Sequence, residues 1–217
     1  MKERIILFDL DGTLTDSAEG ILKSVRIVLT HYGIEVPEGD DLHAFIGPPL
    51  RDTFRRYGVP ADEVENAVKL YRQRYFSIGK FENTPYPGVA ELLRHLREDG
   101  HRLYVATSKP EDLAVEILHH FGLDIFFDRI TGALLSGGRD SKESVISYLF
   151  GTLGVSPSES GAIMIGDTAF DVIGARRNGL EAVAVSWGYG TREELLAAGA
   201  TRIVDTVDEL YAALTEA

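Results

Sequence analysis

The chain has 217 residues, enough for one large domain or a domain carrying an insertion. Its 34 acidic and 22 basic side chains give a formal charge of −12, and no long basic run offsets it, which argues against nucleic acid or an anionic membrane as partner. Without cysteine, disulfides, thiol nucleophiles and thiolate metal sites are excluded; without a charged-then-apolar leader or an apolar stretch near ~20 residues, the expected location is the cytoplasm.

The run Ile5-Ile6-Leu7-Phe8 reads as a buried strand, ended by the Gly-containing turn of Asp9-Leu10-Asp11-Gly12-Thr13. If extended geometry persists to Asp11, the two carboxylates point the same way and repel each other. Either a cation sits near them or one stays protonated, and an enzyme can use both; a strand end closed by an Asp-Gly turn is the plain alternative. Residues 17–83 then show helical spacing (Ile21, Val25, Val28, Leu29; later Val64, Val68, Tyr71, Tyr75) and no convincing strand. They read as an all-helical insertion, with Thr84-Pro85-Tyr86-Pro87-Gly88 as the return hinge. An insertion starting so close to Asp11 is expected to hang over the site as a lid.

Beyond the hinge, strand and helix alternate. Arg102–Ala106, Arg129–Thr131, Ala162–Ile165, Ala182–Val185 and Arg202–Val204 read as strands, with helical patterns between them and a last amphipathic helix through Val207, Leu210, Tyr211 and Leu214. This implies an α/β fold, a parallel sheet covered by helices on both faces, made of residues 1–16 and 84–217. In such sheets ligands collect at the carboxyl ends of the strands. Three polar clusters fall there: Thr107-Ser108-Lys109-Pro110, the segment ending in Lys142, and Gly166-Asp167-Thr168-Ala169-Phe170-Asp171. Asp9, Asp167 and Asp171 offer the hard oxygen ligands that suit Mg²⁺. Thr107, Ser108, Lys142 and the N–H groups around Asp11 and Gly12 can hold phosphate oxygens. Lys142 opens a helix, where a cation is disfavoured by the dipole and calls for an anionic partner. Lys109 is a second choice for the same role, Asp171 could equally favour a helix's first turn, and Asp140 reads as an N-cap. His119-His120 reads as helix surface.

These four motifs, in this order and in these strand contexts, resemble the haloacid dehalogenase superfamily, and specifically its Rossmann-like phosphatases with a helical cap, phosphoglycolate phosphatase and its relatives. The resemblance covers essentially the whole chain. It implies that Asp9 is a nucleophile that forms an aspartyl-phosphate and that Asp11 protonates the leaving group and then activates water. It implies a Mg²⁺ site from Asp9, Asp167, Asp171 and the Asp11 carbonyl, with Thr107, Ser108 and Lys142 around the phosphoryl group. The expected substrate is a small phosphorylated metabolite, phosphoglycolate-like, with nucleotide, pyrophosphate or β-phosphoglucomutase-like transfer chemistry as alternatives. A dehalogenase would leave Asp11 idle, and a phosphonatase needs a Schiff-base lysine where this chain has Arg51. Specificity is expected from the cap loop Phe45–Arg51, where Gly47-Pro48-Pro49 fixes the backbone and Arg51 can meet a substrate carboxylate or second phosphate. Nothing in the sequence sets the oligomeric state.

Overall fold

The computed structural model describes residues 3–36 and 45–215. It forms two compact units, residues 1–15 with 85–217, and residues 16–84. The chain begins with β1 (Ile5–Phe8) and β2 (Thr15–Asp16), then passes through α1 (Ala18–His31), α2 (Leu50–Arg56) and α3 (Val64–Ser77). It continues through β3 (Thr84–Pro85), α4 (Val89–Glu98), β4 (Arg102–Pro110), α5 (Glu111–His120), β5 (Arg129–Ala133) and α6 (Lys142–Leu153). The last elements are β6 (Ile163–Gly166), α7 (Ala169–Arg177), β7 (Glu181–Val185), α8 (Arg192–Ala198), β8 (Arg202–Val204) and α9 (Val207–Thr215). The short strands β2 and β3 pair with each other where the chain leaves and rejoins the larger unit.

Six strands of the larger unit form one sheet in the order β5-β4-β1-β6-β7-β8, every neighbouring pair parallel. Strand side chains alternate between faces, and here both faces are apolar. Ile6, Phe8, Leu103, Val105, Ile163, Ile165, Val183 and Val185 pack on one side with α4, α5 and α9. Leu7, Tyr104, Ala106, Met164, Ala182 and Ala184 pack on the other with α6, α7 and α8. The small side chains on that second face let its helices lie close. Burial on both faces explains why these strands read as continuous apolar runs rather than alternating ones.

β4 runs to Pro110, four residues beyond the sequence expectation, so Thr107–Lys109 belongs to the strand rather than to the loop after it. Its register against β5 shifts between Ala106 and Pro110. At the start of α6 the N-cap is Ser141, whose side chain accepts from the Ser144 N–H, and not Asp140. The cause is local: Ser141 supplies the hydroxyl one position later, and Ser144 completes the reciprocal capping pair.

The helical unit packs the apolar stripes of its three helices together. Ile21, Val25, Val28 and Leu29 of α1, Phe54 of α2, and Val68, Tyr71 and Tyr75 of α3 are all buried. Phe45 and Phe54 stand with ring centres 5.3 Å apart, and Tyr71 stacks on Tyr75. Most of its ion pairs lie near solvent, as the Arg51–Glu65 pair does. Among the described residues no helix is long and apolar enough to cross a membrane.

Candidate active site

Asp9 follows β1 directly, and its N–H still bonds the Ile165 carbonyl at 2.9 Å, so the backbone is fixed by the sheet where the side chain emerges. Asp167 and Asp171 come from the adjacent β6 end and the first turn of α7. Asp9, Asp167 and Asp171 are all buried, and each offers an oxygen within 4.8 Å of the others. Lys142 reaches this group from the start of α6. Its Nζ lies 2.8 Å from Asp9 Oδ1 and 2.7 Å from Asp171 Oδ1, and donates to the Ala106 carbonyl at 2.9 Å. Asp9 and Asp171 are the anionic partners that a helix-opening cation requires.

Asp171 fills both roles considered for it. It stands at the third position of α7, where Oδ2 accepts from the N–H and hydroxyl of Thr168, while Oδ1 meets Lys142. Asp167 is held by two donors that sequence reasoning did not identify. The Thr13 hydroxyl donates to Oδ1 at 2.8 Å and the Tyr189 N–H to Oδ2 at 2.9 Å. Trp187 donates its indole N–H to the Thr13 carbonyl and packs against the core.

Burial pushes the Asp167 carboxyl well above the usual carboxylate range, and the charges of Asp171 and Asp9 push the same way. The Tyr189 N–H and the Thr13 hydroxyl only partly oppose them. Burial also raises Asp171, with Lys142 acting against the shift and Asp9 with it. For Lys142, burial acts to discharge the ammonium, but Asp171 and Asp9 outweigh it and leave the group above its ordinary value. With all four groups ionised, three carboxylates face one ammonium and two negative charges remain. A divalent cation would cancel them, and an all-oxygen donor set suits Mg²⁺ rather than a metal that prefers nitrogen or sulfur.

The other expected site residues divide. Thr107 is buried within β4, and its hydroxyl accepts from the Lys109 N–H at 3.2 Å. Ser108 is exposed. Gly12 does not offer its N–H to a ligand, because that group donates to the Thr15 carbonyl at 2.8 Å. What the position needs is space and a left-handed turn: its φ is 82°, and a Cβ would come within 2.1 Å of Asp167 Oδ2. The paired-aspartate expectation is revised in the same way. β1 ends at Phe8, so the extended geometry does not reach Asp11, and each carboxylate has its own cation: Lys142 for Asp9 and Lys109 for Asp11. Lys109 is therefore the partner of Asp11 and not a substitute for Lys142. Arg51 sits in α2 and pairs with Glu65 at 2.5 and 3.0 Å. Gly47, in the same unit, has a φ of 101°. Gly174, which the sequence reading passed over, completes the site: a Cβ there would lie 2.7 Å from Lys142 Cγ, so only glycine lets α7 lie against the lysine stem.

With a parallel α/β sheet and buried carboxylates at its strand ends, comparison with known proteins is direct. Residues 6–185 match the model of the haloacid dehalogenase-like hydrolases, and the chain belongs to that family. It is 45% identical to a 5'-nucleotidase from Pseudomonas aeruginosa over 193 residues, 88% of this chain and 86% of that protein. It is 42% identical to the tyrosine-protein kinase PtkA of Mycobacterium tuberculosis over 214 residues, 97% of this chain and 72% of that protein. The crystal structure of a predicted phosphatase from Clostridium acetobutylicum superposes with a TM-score of 0.92 at 44% identity, covering 99% of each chain. Phosphoglycolate phosphatases and a pyrophosphatase match at lower identity.

Proposed function

We propose that this protein is a Mg²⁺-dependent phosphatase that hydrolyses small phosphomonoesters through an aspartyl-phosphate on Asp9. The family assignment and the phosphatases among its relatives support the reaction class. The observation that carries the reading is the buried cluster of Asp9, Asp167 and Asp171 with Lys142 inside it.

An Asp9 oxygen attacks phosphorus, the bond from phosphorus to the ester oxygen breaks, and the departing alkoxide takes a proton from Asp11. Water then gives a proton to Asp11 as it attacks the acyl phosphate, releasing orthophosphate and restoring the Asp9 carboxylate. A carboxylate approaching a phosphate dianion at ~4 Å meets several kcal/mol of repulsion even at an effective dielectric of ~20. Lys142 screens that repulsion, and Thr107 offers its hydroxyl to the phosphoryl oxygens. Asp9, Asp167, Asp171 and the Asp11 carbonyl would hold Mg²⁺, which supplies further neutralisation of the phosphoryl charge when bound.

Nucleoside 5'-monophosphates are the first substrates to test, ahead of phosphoglycolate, because the 5'-nucleotidase match has the higher identity. Residues 16–84 act in this reading as the cap, with the Gly47–Arg51 loop selecting the leaving group. The test is a Mg²⁺-dependent screen of nucleoside monophosphates, phosphoglycolate, sugar phosphates and pyrophosphate. Release of orthophosphate that Asp9→Asn abolishes is expected; hydrolysis by Asp9→Asn at the wild-type rate would overturn the reading.

A further inference from the structure

The candidate acid–base residue lies beyond the sheet and needs a support of its own. Asp11 follows the end of β1 in a tight turn closed by the Gly12 N–H to the Thr15 carbonyl, where no strand ladder fixes its side chain. Lys109 Nζ meets Asp11 Oδ2. The lysine side chain is only 4% exposed, its own N–H is tied to the Thr107 hydroxyl, and it stands where β4 shifts register against β5. At that edge Glu111 accepts from the Gly132 N–H at 3.1 Å and from buried Arg139 at 2.6 Å, which fixes the end of β5 beside it. The opposite carboxyl oxygen, Asp11 Oδ1, is buried and has no hydrogen-bond partner among the described residues.

We propose that Lys109 is a positioning residue for Asp11: by holding Oδ2 it sets the carboxyl rotamer and leaves Oδ1 to give and take the proton. This rests on the acid–base role of Asp11 given above. The chemistry supplies a signature that a merely structural residue would not produce. An alkoxide needs the proton from Asp11 to depart, whereas p-nitrophenolate leaves without it. Hydrolysis of the acyl phosphate needs Asp11 with either substrate.

The experiment compares Lys109→Met, Lys109→Arg and Asp11→Asn with the wild type on an alkyl phosphate and on p-nitrophenyl phosphate, by steady-state and rapid-mixing kinetics. Lys109→Met is expected to lower kcat on the alkyl phosphate by ~10-fold or more, a fraction of the usual worth of general acid–base catalysis. On p-nitrophenyl phosphate it is expected to show a burst near one nitrophenolate per enzyme followed by slow turnover. Lys109→Arg is expected to recover most of the loss. If Asp11→Asn shows the burst and Lys109→Met does not, the proposal is overturned. Equal losses on both substrates with a raised KM and no burst would overturn it too, making Lys109 a phosphate ligand. If Asp11→Asn itself shows neither burst nor substrate bias, the acid–base reading of Asp11 fails instead. Should Lys109→Met not fold, Lys109→Gln carries the same test.

Discussion

Both units carry exposed ion pairs, such as Arg94–Glu98 and Arg192–Asp205 in the α/β unit, and they differ in the charge they bury. In the helical unit most ion pairs sit near solvent: both partners of Arg51–Glu65 are about half exposed, and a pair of that kind contributes little to stability. In the α/β unit the Lys142 side chain is 3% exposed and Asp171 1%, and neither can be neutralised by water. Burying charge this way is costly, and removing one partner from such a group costs more than the pair contributes. The helical unit rests on apolar burial, with most of its described ion pairs toward solvent. The buried charges of the α/β unit gather in the proposed catalytic cluster.

The largest stability effect that separates the two regions should come from the helical core. Phe54 is fully buried, with ring contacts to Phe45 and Tyr71. Phe54→Ala is expected to cost about 3–5 kcal/mol, read as a lower denaturant midpoint with early loss of amide protection in α1 and α3. Retention of wild-type stability would show that this core is not the source of the unit's cohesion. In the α/β unit, Gly174→Ala is expected to cost less stability, about 1–3 kcal/mol, but to lower kcat ~10-fold or more by displacing the Lys142 stem. Unchanged turnover would mean that α7 yields easily there.

A third test uses pH. A carboxyl raised in the fold binds its proton more tightly in the native than in the unfolded state. The metal-free protein therefore carries a penalty that is full above the native value of Asp167 and fades as pH falls through it toward the ordinary value near ~3.9. An ion in the proposed Mg²⁺ site would have to displace that proton, so a rise in Tm on adding Mg²⁺ is expected to grow as pH rises through the native value of Asp167. A gain independent of pH would contradict the coupling. The smallest effect is expected on the helical surface: Arg51→Ala should change stability by less than ~1 kcal/mol. A several-fold rise in KM for substrates with a second anionic group would show that Arg51 leaves Glu65 to meet them. An unchanged KM removes it from substrate selection.

Local patterns carried most of the architecture. Each sheet strand buries both faces, so Ile5–Phe8 and Ile163–Ile165 announced themselves as apolar runs, and the polar residues after them fell at one sheet edge. Asp9, Asp167, Asp171 and Lys142 were readable for that reason. Pairings set by register and rotamer were not. That Lys109 reaches Asp11 depends on a shift in β4 that no local pattern records, and Arg51 pairs with Glu65 across two helices. The spacing needs of Gly12 and Gly174 appear only when Asp167 and Lys142 are in place. The same holds for Gly188 and Gly190 on either side of Tyr189, where a Cβ would come within 2.3 Å of Asp167.

The central claim is that the phosphoryl group passes through Asp9. The most direct measurement is to quench the enzyme during turnover, reduce any acyl phosphate with borohydride and map the product by mass spectrometry. An aspartyl-phosphate so treated becomes homoserine, and that residue is expected at position 9 alone, absent without substrate. Homoserine at position 11, or none during active turnover, would contradict it.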